Sequence, residues 1–462
     1  MRRVHAVLLA IVVIAGGVVP AEAIAVTPRV VPLMQSDPGV GGFMSPNVTY
    51  IGTIPTDMPA VGGRMVKLGD QKRFYVTGGS GLTIYDVTDP ALPRLLGTLA
   101  FPHWQNEDVE VSDDGIRVVI SADGRYSGQT IFPHNTGIHV VDASDPFMPE
   151  LVATYSAANE LNHTTACADP KCEWLYGSSG FIYDATFTSG NEIIKTGVRW
   201  KPTGGAAHAL NRDDAGLIIS DSKPRFVLDP RTDPAHPSVL AEGMPDAVDS
   251  ALQHNNVRPR ATEWEPRDPE APDYEDPALR PGELFIANSE TNFNTDCTDP
   301  GGLSTWSMVN FDTGAPLEQL DTFFPQNGNE IEGDPPVNLA GCSGHWFTER
   351  DGLVTAAWFE HGTRFFDIDP TNGDITQVGY FQPVWTAVSA AHWVVDADGN
   401  EYVYTVDYVR GIDILRFDRD TDVPSRADFA RSWDNTVVTH VPAAAAERYS
   451  CRLGARGGRG LR

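Results

Sequence analysis

Two stretches of the chain repeat one pattern, and this repeat limits the fold more than any other feature. Gly81–Leu99 reads GLTIYDVTDPALPRLLGTL, and Gly137–Tyr155 reads GIHVVDASDPFMPELVATY. In both, a glycine opens an apolar run of strand length, an Asp-Pro turn follows, and a second short strand comes next. Aspartate caps backbone amides in such turns, and proline fixes the φ angle. Each stretch is therefore predicted to form a β-hairpin.

Weaker copies of the hairpin begin at Phe226, Gly362 and Gly411, and two further strand candidates precede each copy. Four short strands that recur roughly every 40 to 60 residues are typical of the blades of a β-propeller. Seven blades are expected, and they start near Gly63, Glu107, His163, His208, His254, His345 and His392. The alternative is a row of separate β-sandwiches, but no linker interrupts the repeat.

The seventh blade lacks an outer strand, and the N-terminal region offers one. Asn47–Pro55 (NVTYIGTIP) resembles the outer-strand segment Arg94–Pro102 (RLLGTLAFP). Donation of this strand to the last blade would close the ring and remove an open sheet edge. We therefore expect an all-β fold, a seven-bladed β-propeller over residues 47–420 that is closed by an N-terminal strand.

Both ends of the chain lie outside the repeat. Two arginines precede an apolar run, and Ala21–Ala23 fits a small-residue cleavage site, so residues 1–23 are predicted to be a signal peptide. The alternative is an uncleaved membrane anchor, although the run is short for a span. Residues 24–46 are predicted as a linker and residues 421–462 as a disordered tail. The protein is thus expected to be secreted or extracytoplasmic, in a bacterial cell envelope, without a transmembrane span after cleavage.

The net charge of the chain limits the classes of partner that it is expected to bind. The formal net charge is −28 and the isoelectric point is near 4.6. A nucleic-acid-binding protein needs a basic face, and adhesion to anionic lipid also needs basic residues. An acidic protein instead favours cations electrostatically. We expect a metal ion or small molecule as the ligand, with a protein of the cell envelope as a further candidate partner.

Export permits disulfides, and the chain has five cysteines. Cys167 and Cys172 enclose a short turn and are candidates for a local bond. Cys297 and Cys342 are candidates for a second bond, which leaves Cys451 in the tail. The sequence alone leaves this connectivity open. A thiolate metal site is less favoured because the cysteine spacing does not match one.

Histidines recur in the same position of the repeat. Five predicted blades place a histidine at the start of the innermost strand: His163, His208, His254, His345 and His392. The same interval in the first two blades gives Arg64 and Asp108, with Glu107 beside the aspartate. Innermost strands line the axial channel of a propeller, so these seven positions are expected to face one another.

The second strand of each blade ends on the face where the inner strand begins. Residues at those ends are therefore expected at the same channel mouth as Arg64, Glu107 and Asp108. They are Asp123, Asp221, Glu290, Glu360, His361 and Asp407. Neutral imidazole is a common nitrogen ligand of Cu, Zn, Fe and Ni. Carboxylates around it can accept the second ring N–H and fix the tautomer. The pattern predicts a metal or small-ligand site in a histidine-lined channel.

The two clear hairpins, GLTIYDVTDPALP and GIHVVDASDPFMP, resemble the LVIVD repeat of exported bacterial β-propellers. The resemblance covers roughly residues 45–420. In architecture such proteins are distantly similar to the selenium-binding and methanethiol-oxidase propellers, in which channel histidines hold copper. The resemblance thus implies a transition metal, with copper favoured and zinc or iron as alternatives, and oxidoreductase chemistry as one outcome.

A recurring histidine can also be a structural staple that bonds to a neighbouring serine, aspartate or backbone carbonyl. On that interpretation the protein is a non-catalytic interaction scaffold of the cell envelope, because propellers present broad loop surfaces to partners. The sequence contains no serine triad, P-loop or dinucleotide motif that would select another enzyme class.

Overall fold

Seven separate antiparallel sheets make up almost all of the regular structure. The computed structural model describes residues 28–34, 43–100, 107–123, 137–156, 162–188, 190–201, 207–243, 252–274, 276–290, 301–324, 343–421 and 423. The predicted signal peptide, Cys297, Cys342 and nearly all of the predicted tail lie outside these ranges. Two short 3-10 helices, Ala261–Glu263 and Phe311–Thr313, are the helical elements of the described part. No helix among the described residues is long and apolar enough to span a bilayer.

Three strands precede the first blade, and each joins a sheet that the rest of the chain builds. They are β1 (Arg29–Val30), β2 (Phe43–Met44) and β3 (Val48–Ile54).

The first four sheets follow one another along the chain, and each contains four consecutive strands. Blade 1 has β4 (Ala60–Leu68), β5 (Gln71–Gly78), β6 (Gly81–Asp86) and β7 (Arg94–Ala100). Blade 2 has β8 (Val109–Val111), β9 (Arg117–Ala122), β10 (Gly137–Asp142) and β11 (Glu150–Tyr155). Blade 3 has β12 (Thr165–Cys167), β13 (Trp174–Gly177), β14 (Phe181–Asp184) and β15 (Ile194–Arg199). Blade 4 has β16 (Leu210–Arg212), β17 (Ile218–Ser220), β18 (Arg225–Asp229) and β19 (Ser238–Gly243).

The last three sheets continue the series. Blade 5 has β20 (Leu252–Val257), β21 (Leu284–Glu290), β22 (Leu303–Ser307) and β23 (Glu318–Phe323). Blade 6 has β24 (Phe347–Arg350), β25 (Leu353–Ala357), β26 (Thr363–Ile368) and β27 (Ile375–Gln382). Blade 7 has β28 (Val388–Val395), β29 (Glu401–Asp407) and β30 (Gly411–Phe417). The all-β, seven-bladed propeller is therefore confirmed.

Blade 7 takes its outer strand from the N-terminal region, as the sequence predicts. Strand β3 pairs antiparallel with β30. At this seam the Thr53 hydroxyl donates to the buried Asp413 carboxylate, and Arg410 Nε donates to the same carboxylate over 2.7 Å. The predicted linker is partly strand, because β1 adds to the outer edge of blade 1 and β2 to that of blade 6. Closure therefore places the first and last strands of the ring in one sheet.

The apolar core lies between neighbouring blades. Blades 7 and 1 share one cluster that contains Phe74 and Tyr404, and blades 6 and 7 share another that contains Phe365 and Trp393. Alternate residues of a strand face opposite sides of the sheet, so each blade packs against both of its neighbours. The inner-strand ends are left free to meet on the axis.

Two connections between strands are fixed by specific contacts. In the proline-rich acidic segment after β20, the buried Arg267 pairs with Glu283 through Nε over 2.6 Å and also donates to backbone carbonyls. Leu279 of the same segment packs into an inter-blade cluster. In blade 3 the predicted Cys167–Cys172 disulfide is present.

Candidate metal centre

Four histidines from four consecutive blades meet on the axis. We call His163, His208, His254 and His345 the histidine cluster. The first, second and fourth lie two residues before the inner strands of blades 3, 4 and 6, and His254 lies within the inner strand of blade 5. The amides of His208 and His345 each donate a 2.9 Å hydrogen bond to the end of the second strand of their own blade. Equivalent backbone bonds thus bring the rings to the same end of the channel.

The rings of the histidine cluster are closely packed. Ring centroids are 4.8 Å apart for His163 and His208, 4.0 Å for His208 and His254, and 4.2 Å for His254 and His345. All four side chains are fully buried. They cannot all carry a positive charge at this spacing, because each charge opposes the next. The cluster therefore needs neutral rings, a negative partner, or both.

The Glu107 carboxylate of blade 2 is that negative partner. Its Oε1 contacts His163 Nε2 and lies 3.7 Å from His208 Nε2, and its Oε2 lies 2.9 Å from His345 Nε2. Trp346 Nε1 donates to Oε2 over 3.4 Å. Three imidazole Nε2 atoms thus converge on one buried carboxylate.

Hydrogen bonds at the other ring nitrogens fix two of the tautomers. His208 Nδ1 lies 3.2 Å from the carbonyl oxygen of His254, and His345 Nδ1 lies 2.5 Å from that of Ser389. A carbonyl oxygen only accepts, so both Nδ1 atoms must be protonated. In their neutral form these two rings present Nε2 lone pairs towards the Glu107 carboxylate. Two sets of lone pairs repel unless a proton or a metal cation lies between them.

His163 differs from the other rings, because both of its nitrogens face carboxylates. Nε2 contacts Glu107, and Nδ1 lies 3.3 Å from Asp123 Oδ2. Although burial lowers the pKa of His163, the two carboxylates outweigh it and raise that pKa to about 10. Burial, followed by the charge of neighbouring histidines, holds the pKa values of His208 and His254 well below 6.5. A positive charge is therefore favoured on His163 over His208 and His254.

The donor atoms fit a metal ion. Three groups of ligand atoms lie within 4.8 Å of one another: Glu107 with His163 and His208, Glu107 with His254 and His345, and His208 with His254 and Glu290. Among the described residues, neither ring nitrogen of His254 has a hydrogen-bond partner. An unsatisfied buried polar atom costs about 1–3 kcal/mol. Coordination of one of these nitrogens would remove part of that cost.

His392 lies outside the cluster, unlike its sequence-based placement. Its ring packs against Phe74 at a centroid distance of 5.3 Å. The position equivalent to His345 is Ser389, whose hydroxyl donates to the Val61 carbonyl of blade 1 over 2.6 Å. The inner hairpin of blade 7 turns through residues 396–400, whereas that of blade 6 turns through residues 351–352. The turn of blade 7 is thus three residues longer. A fixed number of residues counted back from the second strand therefore leads to His392 instead of Ser389.

Arg64 and Asp108 also lie one layer further along the channel than predicted. Arg64 Nη1 is 3.4 Å from Glu110 Oε1, and Asp108 Oδ2 accepts a 2.8 Å hydrogen bond from the Thr165 amide. The Trp346 indole lies beside the histidine cluster, with its ring centroid 5.1 Å from that of His254, and it also lines the cavity that Arg64 and Asp108 line. The innermost position of blade 2 belongs to Glu107, the neighbour of the counted residue.

The residues predicted at the channel mouth make different kinds of contact. Glu290 lies beside the cluster, with Oε2 3.9 Å from His254 Nε2. Asp221 instead pairs with Arg225, and Asp407 accepts from the backbone amides of Ala387, Val409 and Arg410 and thereby holds a turn.

Glu360 and His361 are buried just beyond β25. Burial raises the pKa of Glu360 to about 8. None of the groups of possible metal ligands among the described residues contains either side chain. Glu360 thus stays neutral over much of the physiological pH range.

Trp346 and Ser389 are site residues that the sequence interpretation does not include. Trp346 directly follows His345, in the segment GHWF, which resembles AHWV at His392. Because the two His-Trp pairs lie in different registers, the indole of Trp346 reaches the channel while that of Trp393 packs between blades. The repeated pair is a signal for an aromatic residue near the axis, but it does not say which one.

The buried His392 gives a pH-dependent prediction. Burial, followed by the nearby Arg64 charge, lowers its pKa from 6.5 to about 3. The unfolded chain therefore binds a proton below about pH 6.5 that the folded protein excludes, so His392 costs about 1.4 kcal/mol of folding stability per pH unit. In urea unfolding between pH 7 and 4.5, we expect His392→Gln to lose less stability than the wild type.

The exposed His236 provides the matched control, since His236→Gln leaves the buried region unchanged. Parallel pH profiles for the wild type and His392→Gln would contradict the account of this residue.

Comparison with known proteins supports the fold. The sequence matches no protein-family model, and no curated protein is similar to it. Among solved structures, the chain is similar to the β-propeller domain of Cps50 (Swd1) from Myceliophteria thermophila, with a TM-score of 0.50 and 10% sequence identity. The match covers 80% of this chain and 99% of that domain. At this identity the similarity concerns the fold alone, and this chain is a seven-bladed β-propeller.

Proposed function

We propose that this protein is an exported β-propeller that binds one transition metal ion at the histidine cluster and Glu107. The observation that carries the proposal is the convergence of three Nε2 atoms on a single buried carboxylate. Two of those rings donate from Nδ1 to backbone carbonyls, so in their neutral form their Nε2 lone pairs point at an anion. A cation between them turns this repulsion into coordination.

The ligands would be a Glu107 oxygen with ring nitrogens of His254 and His345, and His208, which lies in a further such group with Glu107 and His163. Imidazole-rich sites suit copper, zinc and iron, of which we favour copper. Such a metal, when bound, supplies Lewis-acid or redox chemistry to a small molecule at an open coordination position. His163 and Asp123 would orient the carboxylate, and the backbone carbonyls of His254 and Ser389 would hold two rings in place.

Export is the second part of the proposal. It rests on the charged N-terminus, the apolar run after it and the cleavage-like AEA. The Cys167–Cys172 disulfide suits an oxidising compartment. Relationship to the LVIVD-repeat propellers is proposed on the two clear hairpins.

Equilibrium dialysis of chelator-treated protein against Cu(II), Zn(II) and Fe(II) tests metal binding. We expect about one ion per chain, and binding weakened by about tenfold or more in His254→Gln. His139→Gln is the matched control, because His139 is buried in blade 2 and bonds to Thr154 away from the cluster. Equal binding by both variants would count against the proposed site.

A specific observation also supports the structural-staple alternative. His208 bonds from blade 4 to blade 5, and His345 bonds from blade 6 to blade 7. If stapling is the whole role, His345→Gln lowers the free energy of unfolding by about 1 kcal/mol and the wild type binds no metal. A metal-binding wild type would exclude that outcome.

A further inference from the structure

A cavity occupies the axial channel on the side of Trp346 away from the histidine cluster. Its volume is about 480 Å³, within the range of small-molecule sites. Glu107 and Trp346 form its inner end, and Arg64, Asn211 and His392 lie on its walls. The cavity thus reaches Glu107 from the side opposite to the cluster.

Arg64 is a charged group near the inner end of this cavity with unused bonding capacity. Its side chain is 41% exposed, and its one ion pair among the described residues is the 3.4 Å contact with Glu110. A guanidinium has five N–H donors in a planar fork that matches a carboxylate. Lys67, further out on β4, also lines the cavity and has no ion pair within the described ranges.

The other charged groups near the inner end are engaged. Asp108 is more than nine-tenths buried and accepts from the Thr165 amide, and Glu107 is held by histidines and Trp346. Arg258, at the outer end, is fully buried against Asp213. At the inner end the unused capacity is therefore cationic, while the surrounding carboxylates oppose a second negative charge on a ligand.

The geometry points to a binding site for a small monocarboxylate with a flat apolar body in the axial channel. Its carboxylate pairs with the Arg64 guanidinium, and its apolar body lies against the Trp346 indole. A ligand seated there approaches Glu107, so the cavity is a chamber beside the proposed metal centre. Binding in this chamber does not require the metal.

Isothermal titration of chelator-treated full-length protein tests the site, with benzoate as the probe and benzylamine and inorganic phosphate as comparisons. We expect benzoate to bind the wild type and to bind Arg64→Gln at least about tenfold more weakly. Arg64→Lys, which keeps the charge but loses the fork, should fall between them. Arg260→Gln is the control, because Arg260 lines the outer cavity but is already paired through two bonds with Glu263.

Each outcome decides the inference, provided that circular dichroism shows every variant folded. Benzoate binding that weakens in Arg64→Gln and persists in Arg260→Gln supports it. No benzoate binding by the wild type, equal binding by Arg64→Gln, or a preference for benzylamine or phosphate overturns it. Since no metal is added, failure here is distinct from failure of the metal proposal.

Discussion

Glu107→Gln is expected to lower the affinity for Cu(II) or Zn(II) by about 100-fold or more. Glutamine keeps the shape of the side chain but removes the negative charge on which three Nε2 atoms converge. The amide is also a poor metal ligand compared with a carboxylate. Competition with a chromophoric chelator measures the change directly.

Glu349→Gln is the control for this experiment. Glu349 lines the same channel at its outer end, where its carboxylate accepts a 2.7 Å hydrogen bond from the Gly352 amide. We expect this variant to bind metal as the wild type does. If Glu107→Gln also retained wild-type affinity, the carboxylate would not be a ligand.

Asp413→Asn is expected to lower the free energy of unfolding by about 3 kcal/mol. Asp413 is fully buried at the closing seam, where it accepts hydrogen bonds from Thr53 of the N-terminal strand and from Arg410. The substitution leaves the half-buried Arg410 without its carboxylate and loosens β3 from β30. Urea unfolding and hydrogen exchange of the β3 amides report the two effects.

An exposed pair of the same chemistry provides the comparison. Asp229 binds Arg231 at the surface of blade 4, where the arginine side chain is 52% exposed. Solvent screening limits the value of such pairs, so Asp229→Asn should cost less than about 1 kcal/mol. Equal losses from the two substitutions would show that the seam contributes no special stability.

The fold is predictable from the sequence because each blade is built from the same local pattern of strands and turns. The hairpin sequences of blades 1 and 2 indicate the strand lengths, the turn residues and the glycines that begin each third strand. The match between Asn47–Pro55 and an outer strand predicts the closing strand, and β3 fills that place. These signals are local, so they do not depend on how distant segments pack.

The site is only partly predictable, because a channel is assembled from residues that are distant in sequence. Four predicted histidines meet, since the blades 3 to 6 have similar inner strands. The longer turn at residues 396–400 moves Ser389 into the place assigned to His392. Counting along the repeat locates the channel-facing residue of a blade to within a few residues. Contact in the channel depends on the exact residue at that place.

The bonding partners of individual side chains are a second reason why the site is only partly predictable from the sequence. Asp221, Asp407 and Glu290 occupy similar places in the sequence pattern, yet one pairs with Arg225, one holds a turn and one faces the cluster. Asp221 and Asp407 are bonded to residues within four positions of themselves, and Glu290 faces a histidine of its own blade, so the position in the repeat alone does not distinguish these roles.

The metal content of the protein tests the central claim most directly. The measurement is elemental analysis of natively exported protein that is purified without an affinity tag or chelating resin. We predict about one copper ion per chain, with zinc or iron as alternatives, and its loss in Glu107→Gln. Folded wild-type protein with less than about 0.1 transition-metal ion per chain, which also binds none on dialysis, would contradict the account.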